Sequence, residues 1–327
     1  MSAEKKRVYV TRRIPKPGLD RLTELENCEV EIYDSDEAIP QEVLLEKVKG
    51  VNGLLCMLTD NINKDVLDAA GDNLEVVATM SVGFEHIDVE TCKERKIRVC
   101  NTPNVSTDSV AELTVSLLLL TARRLLDGVA AVKNGEWGKW KPMWLCGIEL
   151  TGRTVGILGL GRIGYGVARR LKPFGIKQIV YHDVCQVSYA DDIGATFVEF
   201  DTMARECDII CICCNLTPQT RHRFNKKVFS MMKNEAILIN SGRGGVINHD
   251  DLFDALKEGQ IFAAGLDVTE PEPLPSNHPL VALPNCIILP HMGSNTWDSR
   301  NMMSATAGEN VVNVFNKKVA VGDVYSC

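Results

Sequence analysis

No apolar run in this 327-residue chain is long enough to cross a membrane. The longest, residues 115–122, falls well short of the roughly 20 residues that a spanning helix needs. Positive charge is also in short supply. With 36 Lys and Arg against 43 Asp and Glu, the net charge is −7, which leaves no electrostatic footprint for nucleic acid or an anionic membrane. The opening residues, MSAEKKRVYV, hold charges but no apolar core, so no secretory leader is expected. The final residues, Val324 to Cys327, match neither a prenylation box nor a peroxisomal tripeptide. Twelve scattered cysteines then read as free thiols in a reducing, cytoplasmic compartment. Even the densest group, Cys211, Cys213 and Cys214 in IICICC, reads as a buried strand and not as a metal site, and no metal is expected.

What is present is an ordinary globular composition, 45% apolar and 24% charged, which excludes extensive disorder. At about 100–200 residues per domain, the length favours two domains. Through residue 102, β-rich runs (7–11, 28–33, 53–59, 75–81 and 98–101) alternate with segments of helical period such as 40–48 and 65–70. Such alternation predicts a parallel sheet covered by helices, and the second half of the chain alternates in the same way. A single long helix is expected over 106–126, linking two α/β blocks. After it, NGEWGKWKPMWLCG packs Trp137, Trp140 and Trp144 into eight residues, with Pro142 forbidding one continuous helix. Aromatics concentrated outside regular structure suggest a dimerisation arm over 127–150; the alternative is an arm folded onto its own subunit.

From Thr154 the chain reads TVGILGLGRIGYGVARRLKPFG. An apolar strand leads into Gly159, Gly161 and Gly164, and Arg162 and Ile163 open a helix. The first glycine allows a tight turn, the second lets backbone approach a pyrophosphate, and the third lets helix and strand pack closely. The helix N-terminus offers free N–H groups to phosphate. A second strand ends at Asp183, nineteen residues beyond Gly164, the offset of an acid that bonds ribose hydroxyls. A carboxylate there repels a 2′-phosphate, and residues 184–187 include no Lys or Arg to bind one. The residues therefore favour NAD(H) over NADP(H).

Three later strands each run into an unusual residue: Arg243 in NSGRGG, Asp267 with Glu272 beyond it, and His291 in PHMGS. Ligands bind at the carboxyl ends of strands in open α/β sheets, so these side chains can converge on a cofactor. An Arg grips a carboxylate through two hydrogen bonds, and a His beside a carboxylate is suited to proton donation near neutral pH. Hydride reduction of a 2-keto acid needs those two functions, assigned here to Arg243 and to His291 with Glu272. His86, His182, His222, His249 and His278 have no comparable setting and read as structural or surface residues.

On these motifs, with VTRRIP at 10–15, ATMSVG at 78–83, WKPMWLCG at 140–147, GLDVTEPEPLPSNHPL at 265–280 and LPHMGS at 289–294, the chain resembles the D-isomer-specific 2-hydroxyacid dehydrogenase family. The resemblance extends over essentially its whole length and is greatest to the glyoxylate reductase/hydroxypyruvate reductase branch. It implies two doubly wound parallel-sheet domains: a Rossmann domain over 106–295 and a discontinuous, flavodoxin-like substrate domain over 1–105 and 296–327. It implies that Arg243, Glu272 and His291 form the catalytic set. Val82 and Gly83 would bind the substrate carboxylate through their N–H groups, with Ser294 and Trp140 also at the substrate. Asp267 would hold the nicotinamide amide, with Asn215, Ser241 and Gly293 also lining the cofactor. A homodimer and a small 2-keto or 2-hydroxy acid substrate follow from it, with no nucleic-acid or membrane partner.

Three positions depart from the family pattern. Glu85 replaces a common Asp, and Gly242 stands where a residue with a side chain is usual, which predicts a looser Arg loop. Asp183 is the third, because the animal enzymes resembled favour NADPH and lack that acid; NADP(H) is therefore the alternative cofactor. Phosphoglycerate oxidation and a nicotinamide-sensing corepressor on the same fold are the alternative functions.

Overall fold

The computed structural model describes residues 5–326. The first four residues and Cys327, on which the readings of the two termini partly depend, lie outside the described residues. The chain forms two compact units, Met1–Ser106 with Asn295–Cys327, and Thr107–Ser294. Among the described residues, no helix is long and apolar enough to cross a membrane.

The first unit holds five parallel strands: β1 (Lys6–Val10), β2 (Cys28–Ile32), β3 (Gly53–Cys56), β4 (Val76–Thr79) and β5 (Arg98–Cys100). Their order is β2-β1-β3-β4-β5, the flavodoxin-like arrangement. β3 and β4 are buried at every residue, as strands covered on both faces must be, whereas edge strand β2 is only half-buried. Two expected strands end early. The run expected to reach Thr59 stops at Cys56 because the Asp60 carboxylate accepts the Met57 N–H at 2.7 Å and closes a turn. The run expected to reach Ser81 stops at Thr79. The tail helix Trp297–Phe315 packs against Lys16–Thr23. There the Ser304 hydroxyl accepts from Gly18 N–H at 3.1 Å and donates to the Pro15 carbonyl at 2.7 Å.

The second unit is built on seven parallel strands: β6 (Thr154–Leu158), β7 (Gln178–His182), β8 (Ala195–Phe197), β9 (Ile209–Ile212), β10 (Ile237–Asn240), β11 (Ala263–Leu266) and β12 (Cys286–Ile288). They run in the order β12-β11-β10-β9-β6-β7-β8. The order reverses between β6 and β9, which is the point where a doubly wound sheet opens a crevice at its carboxyl edge. IICICC forms β9 and its exit, with Cys211 fully buried, and burial pushes the thiols of Cys211, Cys213 and Cys214 up.

The single helix expected over 106–126 is two helices, Thr107–Ala122 and Leu125–Lys133, broken at Arg124 with φ +52°. The reason lies in the returning chain. The Ala122 carbonyl, which the helix would have bonded internally, accepts the Ile148 N–H at 2.8 Å instead. Arg124 then closes onto Asp127 at 2.8 Å. In the arm that follows, Trp137 and Trp140 are 71% and 84% exposed, so the arm is not folded over them. Leu125, Leu126, Val129, Val132 and Met143 extend the exposed apolar surface.

Candidate active site

At the carboxyl end of β6, Gly159 turns with φ +88°, and a Cβ there would lie 2.8 Å from the Cys214 backbone. At Gly164 a Cβ would meet the Gly159 carbonyl oxygen at 2.1 Å. Gly161 differs from both, since nothing lies within 4 Å of the corresponding point. Its bare face lies at the start of helix Arg162–Leu171, whose first N–H groups have no partner within the helix and no capping side chain. A cradle closed at two glycines and open at the third fits the pyrophosphate of a dinucleotide.

Asp183, one residue past β7, is half-buried and tied to this loop. Its Oδ2 accepts the Leu160 N–H at 2.8 Å, and Oδ1 accepts its neighbour Val184 N–H at 2.7 Å. Each oxygen keeps a lone pair for a further donor such as a ribose hydroxyl. The Tyr189 hydroxyl donates to the Leu160 carbonyl at 2.7 Å, so both peptide groups of Leu160 are held. Beyond Asp183 the chain exposes Val184, Cys185 and Gln186, and Val184 is 98% exposed. Asn215 lies exposed past the end of β9, its carbonyl accepting from Thr220 at 2.8 Å.

The Arg243 loop leaves β10 at Asn240, which is fully buried. The Asn240 amide closes the loop on itself: Nδ2 donates to the Arg243 carbonyl at 2.9 Å, and Oδ1 accepts the Gly242 N–H at 3.0 Å. Ser241 is fixed by the Thr114 hydroxyl at 2.7 Å. At Gly242 a Cβ would stand 2.7 Å from the Cys214 carbonyl oxygen. The looser loop expected from this glycine is therefore corrected. Glycine is there because β9's exit passes too close for a side chain, and Asn240 supplies the rigidity.

Asp267, 1% exposed, stands at the end of β11. Its two oxygens accept the N–H groups of Met292 and Gly293 at 2.7 and 2.9 Å, and its carbonyl accepts the His291 N–H at 2.9 Å. Burial pushes the Asp267 carboxyl up, against the pull of those N–H groups and of His291. Asp267 is thus the staple of the His loop, with one lone pair on each oxygen left for other donors. His291 takes φ +53°, a left-handed conformation that costs a residue with a side chain about 1–3 kcal/mol and persists only where its surroundings impose it. Held so, its Nδ1 lies 2.8 Å from Glu272 Oε1. An acceptor-only carboxylate at Nδ1 places a proton there and leaves Nε2 for a ligand. Gly293 is buried behind this pair and Ser294 is half-buried.

Sequence reasoning missed the supports of the Glu272 segment. Arg221 grips Glu270 through both carboxylate oxygens at 2.9 and 3.0 Å, and His222 Nε2 lies 3.3 Å from the same group. Burial raises the Glu270 carboxyl, but Arg221 and His222 outweigh it and the group ends below its ordinary range. The only prior signal was an Arg-His pair in a polar loop after β9. His249 and His278 pack ring to ring at 6.2 Å. In the first unit, Val82 and Gly83 lie just past β4, with Asn101 Nδ2 donating to the Val82 carbonyl at 2.7 Å. Trp140 sits on the exposed arm.

Residues 115–293 match the profile of the D-isomer specific 2-hydroxyacid dehydrogenase NAD binding domain. A glyoxylate reductase/hydroxypyruvate reductase of Homo sapiens is 52% identical over 307 residues, 94% of each chain. This chain belongs to the D-isomer specific 2-hydroxyacid dehydrogenases. Among solved structures, a protein from Thermus thermophilus superposes with a TM-score of 0.92 at 40% identity, covering 97% of this chain and 99% of the other. An NADPH-dependent glyoxylate/hydroxypyruvate reductase from Sinorhizobium meliloti, solved with NADP and malonate, gives 0.85 at 32% identity, covering 98% and 97%. The open point at Gly161 and the paired His291 and Glu272 both lie in the second unit.

Proposed function

We propose that this dehydrogenase reduces small 2-keto acids, hydroxypyruvate to D-glycerate and glyoxylate to glycolate. The observation that carries the reading is the 2.8 Å pairing of His291 Nδ1 with Glu272 at the carboxyl edge of a dinucleotide-binding sheet. A nicotinamide dinucleotide held by the second unit would supply the hydride for the new C–H bond at C2. His291 gives its Nε2 proton to the carbonyl oxygen, and Glu272 stabilises the charged imidazole and keeps the ring oriented. Arg243 holds the substrate carboxylate and polarises its carbonyl, and the N–H groups of Val82 and Gly83 take the remaining carboxylate oxygen.

Gly159, Gly161, Arg162, Ile163 and Gly164 would hold the pyrophosphate, and Asp183 the adenosine ribose, which favours NADH. Asn215, Ser241, Asp267 and Gly293 complete the nicotinamide side, and Ser294 borders the substrate. The same reading makes the protein a cytoplasmic homodimer, in keeping with its free cysteines and with the exposed apolar arm. Trp140 would reach the partner subunit's substrate from that arm. Initial rates of hydroxypyruvate and glyoxylate reduction with NADH and with NADPH test the proposal. Turnover with a lower KM for NADH is expected, and absence of turnover with either cofactor overturns it.

A further inference from the structure

Within the first unit, each carbonyl of the segment Ser81–Gly83 accepts a hydrogen bond. The Ser81 carbonyl accepts the Thr102 N–H at 2.9 Å, Val82 accepts Asn101 Nδ2 at 2.7 Å, and Gly83 accepts the Ser81 hydroxyl at 2.7 Å. Asn101 is itself fixed, its carbonyl accepting Asn310 Nδ2 at 2.8 Å. A carbonyl has no proton, so the last of the three bonds assigns a direction to everything behind it. The Ser81 proton is committed to Gly83, so the Ser81 oxygen accepts from the Thr79 hydroxyl 2.7 Å away. That commits the Thr79 proton in turn, and Thr79 must accept from His86 Nε2 at 3.1 Å. Thr79 and Ser81 are buried, 0% and 4% exposed, so no solvent competes for these protons. The neighbouring Cys56 sulfur lies 3.9 Å from the same nitrogen, and burial holds its thiol protonated by pushing its pKa well up. The ring of His86, read from the sequence as structural or surface, therefore begins a one-way chain that ends on the loop carrying Val82 and Gly83.

We propose that His86, Thr79 and Ser81 are positioning residues for the keto-acid carboxylate: their chain of hydrogen bonds ties down the Gly83 carbonyl and so holds in place the loop whose Val82 and Gly83 N–H groups share peptide planes with the Ser81 and Val82 carbonyls fixed by Thr102 and Asn101. The proposal rests on the keto-acid reading given above. None of the three touches substrate, and none belongs to the unit that binds the dinucleotide, so their loss acts on keto-acid binding alone.

Thr79→Val removes the link with almost no change in volume, and Thr79→Ser restores it. The variants are compared with wild type for hydroxypyruvate KM, dinucleotide KM and kcat, together with His86→Leu and Ser81→Ala and with melting temperature as a check of folding. Loss of one buried hydrogen bond raises the hydroxypyruvate KM about tenfold in Thr79→Val, with kcat and dinucleotide KM unchanged. Thr79→Ser returns it to the wild-type value. A folded Thr79→Val with the wild-type hydroxypyruvate KM overturns the proposal, as does a Thr79→Ser as impaired as Thr79→Val, which would make the effect one of packing. Nitrogen NMR of histidine-labelled protein reads the chain without any turnover. His86 bearing its proton on Nε2 supports the direction assigned, and a neutral ring protonated only on Nδ1 overturns it. A wild type that turns over no keto acid defeats the functional reading and the substrate role with it, while the His86 spectrum still decides whether the chain exists.

Discussion

The Asp183 carboxylate accepts the Leu160 N–H at 2.8 Å, tying the acid at the end of β7 to the middle of the glycine loop. On the function proposed, one side chain would do two things: hold the glycine loop in shape and present negative charge toward a 2′-phosphate. Asp183→Asn separates them, because an amide oxygen still accepts from Leu160 while the charge is gone. NADPH KM is expected to fall about five- to tenfold in that variant, the scale of one screened charge contact. Asp183→Ala loses the tie as well, and both cofactors should bind less well. Initial-rate kinetics with each cofactor check both.

Gly242 faces the Cys214 carbonyl too closely for a side chain. Gly242→Ala must push the Arg243 loop or β9's exit aside, an overpacking that costs about 1–3 kcal/mol. Displacement of Arg243 should lower kcat/KM for hydroxypyruvate about tenfold to a hundredfold. Urea unfolding and steady-state rates read the two effects separately.

Glu272→Gln keeps an oxygen for His291 Nδ1 but removes the carboxylate from its side. The reduction kcat should fall about a hundredfold, within the range for general acid catalysis. Dinucleotide affinity, measured by fluorescence titration, should stay as it is.

His249 is buried beside His278, with its Nε2 unpaired, and burial lowers its pKa below the ordinary value of 6.5; His278 and His222 add to this against Glu270 and Asp250. Between the lowered folded value and 6.5 the unfolded chain binds more protons than the native one. Stability therefore rises with pH through that window and is lost on acidification below about 6.5. His249→Gln does not titrate, so the difference in urea midpoint between wild type and variant should drift with pH only below about 6.5.

Much of this was legible in the chain itself. The strands of both sheets are short runs of apolar residues bounded by turns, and the spacing from Gly164 to Asp183 picked out an acid that the fold ties to the glycine loop. Arg243, Glu272 and His291 were each visible because a charged or titratable residue followed an apolar strand. What was not legible depends on long-range contacts. The break at Arg124 comes from Ile148 bonding Ala122 across 26 residues, and the closed Arg loop comes from Gly242 meeting Cys214. The Arg221 grip on Glu270 and the direction of the His86 chain likewise exist only once distant segments meet. No periodicity encodes them.

In the reaction proposed, His291, held by Glu272, protonates the oxygen of a 2-keto acid as hydride reaches C2. Hydroxypyruvate reduction by wild type and His291→Asn, at saturating cofactor, tests it most directly. Rapid turnover is expected in the wild type and a kcat at least about a thousandfold lower in the variant, with dinucleotide affinity retained. A variant that reduces hydroxypyruvate at a rate near wild type would contradict it.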